Sequence, residues 1–154
     1  MTGESTGGSE RIVVGVDGSE SSKEALTWAA RQAKLTGAPL TALSAWQDTS
    51  IWGRSPGWLP GVDPATATGE ALEEIIGEVL GSEHDIDLQT TVVEGHPGPV
   101  LTEESKSASL IVVGRSGHGE FVGMLLGSVS EFLATHSHCP VTIVRDRYET
   151  EPAS

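Results

Sequence analysis

Short apolar runs alternate with amphipathic stretches along this chain. "RIVVGVD" (residues 11–17) is a β-branched run with the pattern of a strand buried on both faces. "GSESS" follows, a cluster of turn and helix-capping residues. Ala25, Leu26, Ala29, Ala30 and Ala33 then recur at helical spacing, and Gly37 is a natural C-terminal stop. "PLTALSAW" (39–46) predicts a second strand. Residues 65–80 predict a helix with Leu72, Ile75, Ile76, Val79 and Leu80 on one face, and "IDLQTTVVEG" (86–95) a third strand. "HPGPVLTEESKSA" opens with prolines suited to a first helical turn. "SLIVVG" (109–114) predicts strand four, "VSEFLATHSH" helix four and "CPVTIVR" (139–145) strand five.

This β-α-β-α-β-α-β-α-β order with apolar strands predicts an α/β fold, an open parallel sheet with helices on both faces. Residues 1–10 read as a disordered lead, 11–147 as a single domain and 148–154 as a flexible tail. Residues 47–64 read as a long loop. Trp52 and Trp58 lie in it and Trp46 just before it, so the rings either serve a lid or binding loop or cover one end of the sheet.

Composition narrows the partners. The 154 residues carry a net charge of −13 with only nine Lys and Arg, which excludes the clustered basic surface that nucleic acid or an anionic membrane requires. No apolar run approaches the roughly 20 residues of a membrane span, and the first ten residues have neither the basic nor the apolar region of a signal peptide. A single cysteine, Cys139, fits a reducing cytoplasm. "HSHC" (136–139) has the flavour of a metal site, but no second cluster completes a tetrahedral set; a turn between helix four and strand five is the plainer reading.

The richest chemistry lies in "GRSGHGEFVGMLLGS" (114–128), which holds five of the nineteen glycines between strand four and helix four. In open parallel sheets ligands bind beyond the carboxyl ends of the strands, where strand order reverses. Glycines reach backbone angles closed to other residues, their N–H groups can converge on an anion, and a helix N-terminus favours negative charge. These features describe a phosphate site. Neither a P-loop nor a dinucleotide fingerprint is present: no Lys follows any glycine, and "GVDGS" after strand one does not match G-x-G-x-x-G.

What does fit is G-x-x-G, nine residues, then G-[ST]: Gly114, Gly117, Gly127, Ser128. With "VGVDGSESS", "GHPGPVL" and "HCPVTIVR", this motif makes residues 11–145 resemble the universal stress protein family, and the glycine spacing is that of its ATP-binding members. The resemblance implies a Rossmann-like five-stranded parallel sheet in the order 3-2-1-4-5. It implies Gly15, Val16 and Asp17 beside the adenosine, Ala45 near the adenine and Val113 against the nucleoside. The backbone from Gly114 through Arg115, Ser116, Gly117 and His118 to Gly119 would take the ribose and phosphates. Gly127, Ser128 and Val129 would hold the terminal phosphates.

Plainer roles compete at several of these positions. Ser128 with Glu131 spells an S-x-x-E capping box. Asp17 could cap the first helix, the glycines could serve tight packing, and His118 could face solvent. The expected function is nucleotide-dependent regulation with ATP, or cyclic AMP or another adenine nucleotide in its place. Mg²⁺ or Mn²⁺ would offset phosphate charge that Arg115 alone cannot. A slow ATPase or phosphotransferase, or a dimeric interaction protein without nucleotide, are the alternatives. Phosphoryl transfer usually adds a positioned cation and a base to orient the nucleophile, and the sequence shows no such set beside the loop. The resemblance also implies a homodimer through the fifth strand, whose apolar edge invites pairing.

Overall fold

The computed structural model describes residues 10–47, 61, 63–115 and 126–145. The five strands are β1 (Ile12–Gly15), β2 (Leu40–Trp46), β3 (Leu88–Glu94), β4 (Leu110–Gly114) and β5 (Val141–Val144). The four helices are α1 (Glu20–Thr36), α2 (Pro64–Leu80), α3 (Pro97–Glu104) and α4 (Ser128–His136), with a 3₁₀ turn at Ser105–Ser107 after α3. The strands form one parallel sheet in the order β3-β2-β1-β4-β5, as the resemblance implied.

Strand alternation sorts the core into two layers. Ile12, Val14 and Val16 of the β1 segment face α1 and α2, with Ala25, Leu26, Ala29, Leu72 and Ile76 closing over them. Val13, Leu43, Ile111 and Val113 face the other way and are covered by Leu101 of α3 and Leu133 of α4. Burying a leucine completely removes enough apolar surface to contribute about 2 kcal/mol, so Leu26, Leu43, Leu101 and Leu133 are major anchors.

Helix ends follow the sequence signals. Ser19 caps α1, accepting from the Ser22 N–H, and Gly37 ends it at φ +76° with its N–H bonded to the Ala33 carbonyl. Asp63 caps α2 by accepting from the N–H and hydroxyl of Thr66. β1 is shorter than the apolar run predicts: Arg11 and Val16 flank it, although Val16 still donates to Leu43 O. β3 departs most from a fully buried strand. It lies at the sheet edge, and Gln89 and Thr90 are exposed. At the end of the sheet where the strands begin, Arg11 reaches Thr41, Glu104 and Ser107 and ties β1 to the end of α3.

The "HSHC" segment forms the α4–β5 turn. Ser105 Oγ accepts from the His138 N–H at 2.8 Å, and Ser137 Oγ donates to the Cys139 carbonyl. Burial pushes the Cys139 thiol above its ordinary pKa, outweighing hydrogen bonds from Ser137 and the Ile111 backbone. Residues 1–9 of the expected lead, the tail, Trp52 and Trp58 lie outside the described residues.

Candidate functional site

β1 is the centre of the sheet. From it the chain steps outward through β2 to β3, then crosses back to β4 on its other side. The carboxyl ends of β1 and β4 are therefore neighbours whose following segments diverge, which opens a crevice. A cleft lies there whose open space, about 550 Å³, includes its solvent-filled mouth.

The sequence-predicted residues that line it come from four segments. Gly15 ends β1 and Val16 and Asp17 follow it, Ala45 is the last residue but one of β2, Val113 and Gly114 end β4 and Arg115 follows, and Gly127 and Val129 flank the first residue of α4. Ser128 sits between the last two, exposed, and is not among the lining residues. Ser116, Gly117, His118 and Gly119 lie outside the described residues.

Two capping expectations are corrected. Gly127, not Ser128, is the N-cap of α4, in extended conformation, with no side-chain cap bond; Ser128 is the first helical residue. The S-x-x-E box is therefore one position out of step. Ser130 at this end is buried, and its hydroxyl lies within donating distance of Arg115 O at 2.9 Å and of Gly127 O at 3.2 Å. Asp17 does not cap α1 either. Its Oδ1 accepts from the N–H and hydroxyl of the true cap, Ser19, at 2.9 and 2.6 Å. Ser22 completes the knot, donating to Ser19 O and accepting from the Asp17 N–H. "GSESS" is thus a hydrogen-bonded rim of the cleft.

Gly114 has a packing role. A Cβ built there would lie 2.6 Å from the backbone carbonyl carbon of Ser21 and 2.8 Å from its oxygen, so only glycine lets α1 lie across the end of β4. Gly114 and Gly127 are not among the residues with positive φ, so neither needs glycine's left-handed freedom. The Gly127 N–H donates to Arg115 O at 2.7 Å, which leaves the anion-attracting groups of this end to the first turn of α4.

Residues the sequence reading missed also line the cleft: Ser19, Ser22, Leu43, Pro97, Leu101 and Ser130. Their sequence signal was weak because α3 follows β3 in the chain yet crosses back over β2 and β1 to reach β4. The prolines of "GHPGPVL" marked a helix start but not a wall of this cleft. Leu43, Leu101 and Val113 make the interior apolar. Asp17 and Arg115 are the charged groups among the described lining residues. Such a cleft suits a flat apolar body carrying polar groups at its edge.

Comparison with known proteins agrees with this architecture. The sequence model of the Universal stress protein family matches residues 8–145. The chain belongs to the universal stress protein family. A universal stress protein of Mycobacterium tuberculosis is 35% identical over 140 residues, which cover 88% of this chain and 45% of that protein. One of Mycolicibacterium smegmatis is 37% identical over 139 residues, covering 88% and 46%. This chain thus spans about half the length of the curated relatives it matches. Among solved structures, a universal stress protein in complex with cAMP has TM-score 0.60 at 28% identity, covering 88% of this chain and 95% of that one. Among the described residues no helix is long and apolar enough to cross a membrane.

Proposed function

We propose that this universal stress protein domain is an ATP-binding regulatory module of the stress response, acting in the cytoplasm. The observation that carries this reading is the cleft at the sheet's switch point, with the first turn of α4 at one edge and apolar walls from Leu43, Leu101 and Val113. The adenine would lie against these walls near Ala45, the ribose near Asp17, and the phosphates toward the glycine segment and α4. ATP brings about four negative charges, and Arg115 is the lining cation, so Mg²⁺ or Mn²⁺ would accompany the nucleotide.

Cyclic AMP is a second reading, supported by the 28% identical structure solved in complex with cAMP. Both readings place the base and ribose in the same cleft and differ in the phosphates. We also propose a homodimer paired through β5, a sheet edge that, among the described residues, pairs with β4 alone.

Titration calorimetry of the purified protein tests the reading. ATP should bind, and more weakly in EDTA than with Mg²⁺; equal affinity with and without metal overturns the metal's role. Absence of binding by ATP, cyclic AMP and AMP overturns the nucleotide reading itself. Stronger binding of cyclic AMP than of Mg²⁺–ATP selects the second ligand.

A further inference from the structure

β1 and β2 part at one rung of the sheet. Their register runs from Ile12 opposite Leu40 to Gly15 opposite Leu43, and Val16 adds a last main-chain bond by donating to Leu43 O at 2.9 Å. The next rung of a parallel ladder would join the Ala45 N–H to Val16 O. That rung is not made: the ladder stops at Gly15 opposite Leu43. Val16 O accepts instead from the Ser44 hydroxyl at 2.7 Å, and Ser44 is buried. The following residue, Asp17, turns its N–H to Ser22 of α1. β2 meanwhile continues against β3 as far as Trp46 opposite Glu94, where the Gly95 N–H donates to Trp46 O at 2.7 Å.

Main-chain groups along a strand point alternately to its two neighbours. Leu43 O faces β1 and Trp46 O faces the β3 side. Ala45 therefore turns its N–H and carbonyl to the side that β1 has left. Ala45 lines the cleft there, and Ser44 is not among the described lining residues.

From this geometry we infer that Ser44 is a positioning residue of the cleft. Its hydroxyl occupies Val16 O, ends the β1–β2 ladder one rung early, and so keeps the main-chain edge of Ala45 open to a planar base that carries a donor beside an acceptor. Ser44 acts through Val16 and does not touch the ligand. The inference rests on the proposed nucleotide reading. A buried carbonyl left without a donor is costly, so Val16 O without the Ser44 hydroxyl takes the nearest N–H, which is that of Ala45. The ladder then closes by one rung, and the base loses the edge that was held open for it.

Amide hydrogen exchange at Ala45, followed by NMR alongside adenosine binding, tests this. In the wild type without ligand the Ala45 amide should exchange freely, and adenosine should protect it. In Ser44→Ala the same amide should be protected without ligand, and adenosine should bind about tenfold more weakly, the worth of about one main-chain hydrogen bond. Ser44→Thr keeps the hydroxyl on a residue suited to a strand and should return both readouts toward the wild type. A merely structural role would weaken binding while Ala45 exchange stayed the same or quickened, and that result overturns the inference. Unchanged adenosine affinity in Ser44→Ala overturns it as well, and so does Ser44→Thr behaving as Ser44→Ala does. Should Ser44→Ala not fold, the wild type decides: an Ala45 amide already protected without ligand overturns the inference, and one that adenosine alone protects upholds it. A wild type that binds neither adenosine nor ATP defeats the nucleotide reading and the role of Ser44 together, whereas a wild type that binds and a Ser44→Ala variant that binds equally well defeat the role of Ser44 alone.

Discussion

The backbone of Ser21 in α1 occupies the place that a side chain on Gly114 would need: an added Cβ would come within 2.6 Å of the Ser21 carbonyl carbon. The first glycine of the family motif thus sets how closely the first helix lies against the fourth strand. Gly114→Ala should destabilise the fold by about 2 kcal/mol or more, because the obstacle is backbone and cannot rotate away. Gly77→Ala, inside α2 with open space around it, should instead gain up to about 1 kcal/mol. Urea unfolding of both variants checks the pair; equal midpoints would show that α1 yields to the added methyl.

Ser19 holds both the first turn of α1 and the carboxylate of Asp17. Ser19→Ala removes the cap and should lower stability by about 1 kcal/mol. The same change frees Asp17 to move, so nucleotide affinity should fall with it. A denaturation midpoint identical to the wild type would mean that Asp17 or Ser22 takes over the cap.

Ala45 lies on the same face of β2 as Leu43 and lines the cleft. Ala45→Phe should fill the adenine end and weaken ATP binding at least tenfold, about 1.4 kcal/mol, with the far-ultraviolet dichroism unchanged. Unaltered affinity would move the base to another part of the surface.

The Cys139 thiol is raised above its ordinary pKa by burial. The folded protein then holds the thiol proton more tightly than the unfolded chain does. This contribution to stability is present below the ordinary thiol pKa and is lost as pH rises above it, because the unfolded chain deprotonates first. Iodoacetamide should accordingly label native Cys139 more slowly than denatured protein at pH 8, and a native rate equal to the denatured rate would contradict the shift.

β5 is a four-residue edge strand, Val141–Val144, and all four residues are partly exposed within the single chain. Pairing with a second copy would cover them. Light scattering should give twice the 16.1 kDa chain mass at high concentration, and a mass that stays at one chain would refute the dimer.

Much of the cleft was legible in local pattern. The apolar runs ending in Gly15 and Gly114 marked two strands, and a loop of glycines leading to a helix marked the end at which a ligand would sit. The cap positions were less legible. In "GSVSE" the serine pattern points to Ser128, yet the helix takes Gly127 as its cap, whose place is set by its contact with Arg115, a residue distant in sequence. "GSESS" likewise named a cap region without saying that Asp17 would hold Ser19 rather than the helix itself.

By itself the sequence determined the element order and the parallel sheet, because apolar periodicity and the handedness of β-α-β crossovers depend on near neighbours. The glycine spacing determined the family resemblance and, with it, the strand order. Tertiary structure alone decided that Gly114 answers to Ser21, that α3 supplies Pro97 and Leu101 to a cleft begun by β1, and that the Ser44 hydroxyl meets Val16 O. Each of these depends on the distance between elements far apart in the chain, which is set only once the helices have closed over both faces of the sheet.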